Sequence, residues 1–175
     1  MRRLFIVRKD LNMSSGKVSA QIAHCAELYW LNLIKENLGK KENNYNSTLI
    51  LENEIVEEYI VNAIVKTVLQ AKNLNHLLKA KTIAEELGLK EYRDFGFVND
   101  KCLTELKPEN ENGTTTTCFW TKPLPDEIAH MISKKYHLYI DKKIKIPSHA
   151  ADIKDLRYSA GWNGCIEKVK ELNNI

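Results

Sequence analysis

Two short stretches carry residue types that can do chemistry together. The first holds Lys17, Gln21 and His24. Spacings of four and three put a cation, an amide and an imidazole on one face of a helix. Such a trio suits an anion or a polarised carbonyl, although a solvated helix face has the same composition and is the commoner use of it. The second is Asp100-Lys101-Cys102-Leu103-Thr104-Glu105-Leu106, with Asp100 just beyond an apolar run and Thr104 four residues on. A carboxylate at a strand end can orient a water, and it can equally cap its own turn. The threonines at 114–117 follow. They are good strand formers, and one inward hydroxyl among them can bond a substrate or hold Asp100.

Those residues need a frame. Leu4-Phe5-Ile6-Val7 reads as a strand buried on both faces. A polar loop follows, then a helix over 15–37 capped by Ser14 or Ser15, with Val18, Ile22, Cys25, Tyr29 and Leu33 as its core stripe. An Asn-rich loop covers 40–47, and Asn53 is placed to cap a short helix. Residues 64–71 read as a second strand, and Asn73 or Asn75 opens a helix that Gly88 closes. Strands are expected at 95–98 and 114–121. Pro125 stands at the start of a last core helix, and Leu138, Ile140, Ile144 and Ile146 alternate like a strand. Strands separated by helices predict an α/β fold, with the third and fourth strands pairing directly in a mixed sheet. The ends of such strands, beside a helix N-terminus, are where ligands collect in open α/β folds.

Composition narrows the class. The 175 residues are 43% hydrophobic and 28% charged, with a net charge of +3. That fits one globular domain and permits an anionic partner without requiring one. The four cysteines are scattered, and no histidine stands at metal-ligand spacing from them, so free thiols and no metal site are expected. No signal-peptide core and no apolar run near the roughly 20 residues of a membrane span are present, which predicts a cytoplasmic protein with no membrane partner. Gly16-Lys17 is not a phosphate loop, because the earlier glycine that motif needs is Leu11 here. Asp94-Phe95-Gly96 lacks every other kinase element.

The pieces in order resemble the second-type (archaeal/eukaryotic-type) peptidyl-tRNA hydrolases, as a diverged, bacterial-like member. The opening Val7-Arg8-Lys9-Asp10-Leu11-Asn12-Met13, Gly16-Lys17 and Ala20-Gln21-Ile22-Ala23-His24 look like that family's strand-loop-helix signature. Lys66-Thr67-Val68-Leu69 resembles its second strand, Asp100 with Thr104 its Asp-x-x-x-Thr motif, and Gly113 with the threonines after it its Gly-Thr-x-Thr strand. The likeness covers roughly residues 3 to 139. It departs at Lys101-Cys102, where Ala-Gly is usual, at a longer loop over 109–112, and at segments 42–62 and 141–175.

The resemblance implies a mixed four-stranded sheet flanked by helices in three layers over 1–140; 141–175, beyond the family core, is expected as an extra C-terminal α/β tail packed on the same domain. It implies a homodimer that uses no cofactor and hydrolyses the ester of peptidyl-tRNA. Lys17, Asp100, Thr104 and Thr117 become the catalytic candidates. Gln21 and His24 stand beside them, and Arg8 and Lys9, with Arg3 and the C-terminal lysines, are candidates for holding RNA phosphates. The alternative is a non-catalytic tRNA- or protein-binding module that kept the fold. The catalytic reading requires Lys17 and Asp100 to face one cleft, with Thr117 alongside.

Overall fold

The structure is a computed structural model that describes residues 1–139. It begins with β1 (Arg3–Arg8), every residue of which is buried. Helix α1 (Ser15–Glu36) opens where the Ser14 hydroxyl accepts from the Lys17 amide, satisfying one of the donors a helix start leaves orphaned. A small hairpin, β2 (Gly39–Lys41) and β3 (Asn44–Asn46), takes the place of the expected polar loop. The short helix after it is a π-helix, Ile55–Asn62, and no side chain caps its start, so Asn53 does not play that part. Then come β4 (Lys66–Ala71), α2 (Leu74–Glu86, capped by Asn73), β5 (Phe95–Asp100), β6 (Thr115–Thr121), α3 (Asp126–Ser133) and β7 (His137–Leu138).

The main sheet has five strands in the order β5-β6-β1-β4-β7. The expected four are its first four. The fifth is the start of the alternating run at Leu138, which pairs with the outer edge of β4 through Leu69 and Gln70. The rest of that run, and the expected tail over 141–175, lie outside the described residues. β1 is parallel to β4 and antiparallel to β6, and β6 is antiparallel to β5. β1, β4 and β5 therefore all run the same way and end on one rim, at Arg8, Ala71 and Asp100.

Strand alternation sorts the apolar residues into two layers. Leu4, Ile6, Leu69, Phe95 and Phe119 face α2 and α3, whose Leu77, Ala80, Ala84, Ala129 and Ile132 cover them. Phe5, Val7, Val98, Cys118 and Trp120 face α1 through Val18, Cys25 and Tyr29. Arg3 lies fully buried in this second layer and donates to the carbonyls of Cys25, Ala26 and Thr121, so it ties α1 to the sheet and is closed to an RNA phosphate.

Close approach on the α1 side makes Gly96 a spacing residue. A Cβ there would stand 2.8 Å from the Trp120 ring. Gly96→Ala must push that ring aside and is expected to lower stability by about 1–3 kcal/mol; thermal unfolding that leaves the melting temperature unchanged would contradict it.

Candidate active site

Asp100 is the last residue of β5, on the face that Val98 turns to α1. Thr117 reaches that same face by a different device. The β5–β6 register runs Val98 with Cys118 and then Asn99 with Thr116, which leaves Thr117 as the extra residue of a bulge. Strict alternation from Cys118 would put Thr117 on the α2 side. The bulge turns it to α1, where its hydroxyl donates to Gln21 Oε1 at 2.6 Å.

Gln21 is 1% exposed and passes the connection on. Its Nε2 donates to Asp100 Oδ2 at 2.7 Å. Lys17, one turn earlier on α1, brings its ammonium to the same Oδ2 at 2.8 Å and donates to Thr104 Oγ1 at 3.1 Å. The Cys102 amide donates to Asp100 Oδ1 at 2.8 Å. To do so Cys102 adopts φ 56°, the left-handed region that a residue with a Cβ enters only at a cost. The loop after Asp100 is fastened to α1 a second time, since the Ser14 amide donates to Glu105 Oε1 at 2.8 Å. A carboxylate at a helix start answers both the orphan donor and the positive end of the helix dipole.

The bonding leaves defined vacancies in the hydrogen-bond capacity. A carboxylate offers about four acceptor positions and an ammonium three donors. Among the described residues three positions of Asp100 and two donors of Lys17 are taken, so one acceptor and one N–H remain for whatever enters. Burial by itself would raise the Asp100 pKa. The hydrogen bonds from Lys17, the Cys102 amide and Gln21 together outweigh it and hold the carboxyl below the ordinary range. The pair lines a cleft of about 540 Å³ between α1, the β5 edge and the loop after it, with His24, Lys101 and Thr104 also in its wall. Among the described residues no group of three or more His, Cys, Asp or Glu side chains is placed to hold a metal ion, and no helix is long and apolar enough to cross a membrane.

The candidates thus divide. Lys17, Asp100 and Thr104 meet at the cleft, and His24 stands exposed on its wall. Thr117 and Gln21 lie behind them, buried, and Thr117 reaches Asp100 only through the Gln21 amide. Arg8 is elsewhere in its bonding. It is 4% exposed, and its guanidinium is taken by Asp10, Glu109 and the Thr116 carbonyl, so it pins the flanking loops and offers no fork to a phosphate. Lys9 lies over the Tyr139 ring, 4.4 Å from its centre. The sequence carries no warning of the Cys102 amide or of Glu105. It does carry a sign of Gln21's place, because that residue falls inside the stripe of Val18, Cys25 and Tyr29, where a polar side chain needs a buried partner.

Removing the ammonium exposes the balance at Asp100. In the native chain folding favours its ionised form, so that contribution is held above the unfolded value of about 3.9 and lost as pH falls through the lower folded value. In Lys17→Met burial is opposed by two hydrogen bonds instead of three, and the Asp100 carboxyl carbon is expected to titrate at higher pH by NMR; an unmoved midpoint would show that Lys17 does not hold the carboxylate in solution.

The chain has relatives among known proteins. The sequence profile of the family described as Peptidyl-tRNA hydrolase PTH2 matches residues 1–139. A peptidyl-tRNA hydrolase of Thermococcus onnurineus is 27% identical over 132 residues, covering 75% of this chain and 92% of its own length. Those of Saccharolobus islandicus and Saccharolobus solfataricus are 25% and 24% identical over 133 residues, each covering 76% of this chain and 94% of theirs.

Proposed function

The chain belongs to the peptidyl-tRNA hydrolase PTH2 family, and on that premise we propose that it hydrolyses the ester joining a peptide to tRNA at the cleft holding Lys17 and Asp100. One observation carries the reading. A carboxylate and an ammonium share a cleft, with one acceptor position and one donor that no described residue takes.

Ester hydrolysis needs a water, a place for the negative charge that develops on the carbonyl oxygen, and a proton for the leaving oxygen. The open lone pair of Asp100 Oδ1 takes a hydrogen bond from the water and points its oxygen at the ester carbon. The remaining N–H of Lys17 meets the carbonyl oxygen, where charge grows as the water attacks. With its pKa held down, Asp100 is a weak base in the resting site. As Lys17 turns toward the forming oxyanion, its hold on the carboxylate loosens and Asp100 becomes better able to accept the water's proton. Collapse of the tetrahedral intermediate breaks the bond to the ribose oxygen, which receives that proton and leaves as the tRNA hydroxyl. Thr104 steadies Lys17, while Gln21 and Thr117 fix the carboxylate from behind.

The RNA needs a cationic surface, and the rim where β1, β4 and β5 end supplies one. Lys9 follows β1, Lys72 follows β4 and Lys101 follows β5. Across three strand spacings they span about 14 Å. Lys79 and Lys135 extend the rim around His76, whose pKa is lowered first by burial and then by the charges of Lys79 and Lys72. Phosphates laid along this rim bring the 3′ end of the tRNA to Asp100, and binding weakens steeply with added salt. Lys9, with its neighbours on the rim, takes the phosphate-holding part, and His24 contacts the substrate at the mouth of the cleft.

Two finer readings belong with this function: a cytoplasmic setting, in keeping with a substrate of translation, and a homodimer, which the family resemblance implies. Sedimentation equilibrium of the full chain is expected to give twice the monomer mass, and a monomer at micromolar concentration would remove the dimer.

The reaction has a direct test. Asp100→Asn keeps the shape of the site and removes the charge, so it is expected to cut kcat on peptidyl-tRNA by about 100-fold or more while tRNA affinity stays within twofold. Full turnover in both Asp100→Asn and Lys17→Ala would overturn the assignment. Absence of any turnover in the native chain, with tRNA still bound, would make it a binding module.

A further inference from the structure

The cleft does not stop at the catalytic pair. It follows α1 from Lys17 past His24 and Glu27 to Leu28 and Leu31, with Phe97 and Val98 of β5 as the opposite wall. From Lys17 to Leu31 the helix rises about 21 Å at 1.5 Å per residue. Its character changes on the way. The cations Lys17 and Lys101 gather at the Asp100 end, with the His24 imidazole next along the helix. Beyond His24 the lining residues are apolar apart from Glu27. Leu31 keeps 40% of its surface exposed there. Past Leu31 the helix and the segment before β5 are tied together where Asn32 Nδ2 donates to the Tyr92 carbonyl at 2.7 Å.

Among the described residues β5 is the end strand of the sheet. The Phe95 carbonyl faces outward, accepting from the Tyr92 amide at 2.7 Å, and the Val98 carbonyl faces β6, where it lies 3.2 Å from the Thr117 hydroxyl. Successive carbonyls along a strand alternate in direction. The backbone N–H and C=O of Phe97 therefore turn away from β6, toward the cleft.

We infer that this apolar arm of the cleft is the channel for the peptide part of peptidyl-tRNA, whose last residues lie beside β5 as an added strand. The inference rests on the catalytic reading of Lys17 and Asp100. Continuity decides that something joined to the ester occupies the arm, because the arm begins at the pair. Charge decides which part. An RNA strand entering it would bring phosphates against Glu27 and the leucines, whereas the lysines lie on the rim at the strand ends. An exposed strand edge pairs with backbone groups that every peptide has, and apolar walls accept side chains of many shapes. Such a channel fits a substrate class in which the sequence varies and the backbone does not. The direction follows too. The esterified C-terminus must lie at Asp100, the C-terminal end of β5, so the bound peptide runs parallel to β5. An extended chain of about six residues fills 21 Å.

Leu31→Glu tests this with little threat to the fold, since the side chain is already partly exposed. Two substrates on one tRNA are compared, a single N-acetylated amino acid and an N-acetylated apolar hexapeptide. The variant is expected to raise KM for the hexapeptidyl substrate by about tenfold, with kcat unchanged. It should alter the short substrate less than twofold and leave the Kd for uncharged tRNA as it was. Leu31→Met should behave as the native chain does, and thermal unfolding controls for damage to α1. An equal loss on both substrates, or a weakened Kd for uncharged tRNA, would assign the arm to the terminal nucleotide and overturn the inference. No change on either substrate would overturn it as well. A native chain that cleaves neither substrate would defeat the catalytic reading and this inference with it, whereas a length-independent effect in an active enzyme defeats this inference alone.

Discussion

Lys17 and Asp100 meet at 2.8 Å with side chains only 14% and 10% exposed. Two charges that dry are costly unless each is matched and their remaining hydrogen-bonding positions are used. Much of the local architecture answers that demand. Gln21 and the Cys102 amide fill positions on the carboxylate, and Thr104 takes a second donor of the ammonium. Thr117 holds the far end of the Gln21 amide, which fixes which end of that amide faces the carboxylate. A hydroxyl on a buried strand thus orients a carboxylate it never touches. The residue that makes this possible is the bulge in β6, because without the slip in register Thr117 would face the other layer of the core.

The same constraint explains why charged residues near the site divide into two kinds. Arg3 and Arg8 are buried forks whose donors are consumed by carbonyls and carboxylates of the protein. A guanidinium with five rigidly placed donors is well suited to clamp several segments at once. The lysines do the opposite. Lys72, Lys79, Lys101 and Lys135 are exposed along the rim where the parallel strands end. A mildly basic net charge hid this division, since it counts a buried clamp and a solvated ammonium alike.

Much of the frame was legible in the sequence because it is set by local rules. A continuous apolar run at 4–7, a serine cap before an amphipathic helix, and Asn73 before another all produce the elements they announce. The order of Lys17, Asp100 and the threonines likewise announced a shared site, through its likeness to a family pattern. The rest depended on interactions distant in sequence. By residue type Thr117 is one threonine among four; the family pattern picks it out, and the register between β5 and β6 supplies the physical reason. Arg8 looked like a phosphate ligand because its partner Glu109 lies 101 residues away. Gln21 looked like part of a wet face with Lys17 and His24. In a helix a shift of one position separates the wet face from the core stripe, and Gln21 lies on the stripe.

Cys102 shows how a departure from the family pattern is accommodated. The family resemblance leads one to expect glycine at this place, and a backbone φ of 56° is a physical reason for that expectation. A left-handed conformation costs a residue with a Cβ on the order of 1–2 kcal/mol relative to the ordinary regions. The conformation is nevertheless imposed, because it is what points the Cys102 amide at Asp100. The cysteine side chain offsets part of the cost by its own contacts. Its Sγ lies 3.4 Å from the Thr115 hydroxyl and 3.5 Å from the Asp100 carbonyl, a seat between β6 and the end of β5 that glycine would leave open. The Thr115 hydroxyl donates in turn to the Lys107 carbonyl, and the Glu109 amide donates to the same hydroxyl. The thiol therefore joins the contacts that hold the loop from Asp100 to Glu109 against β6. The substitution exchanges freedom of the backbone at one residue for packing beneath the loop that carries Thr104, and the carboxylate keeps its third hydrogen bond.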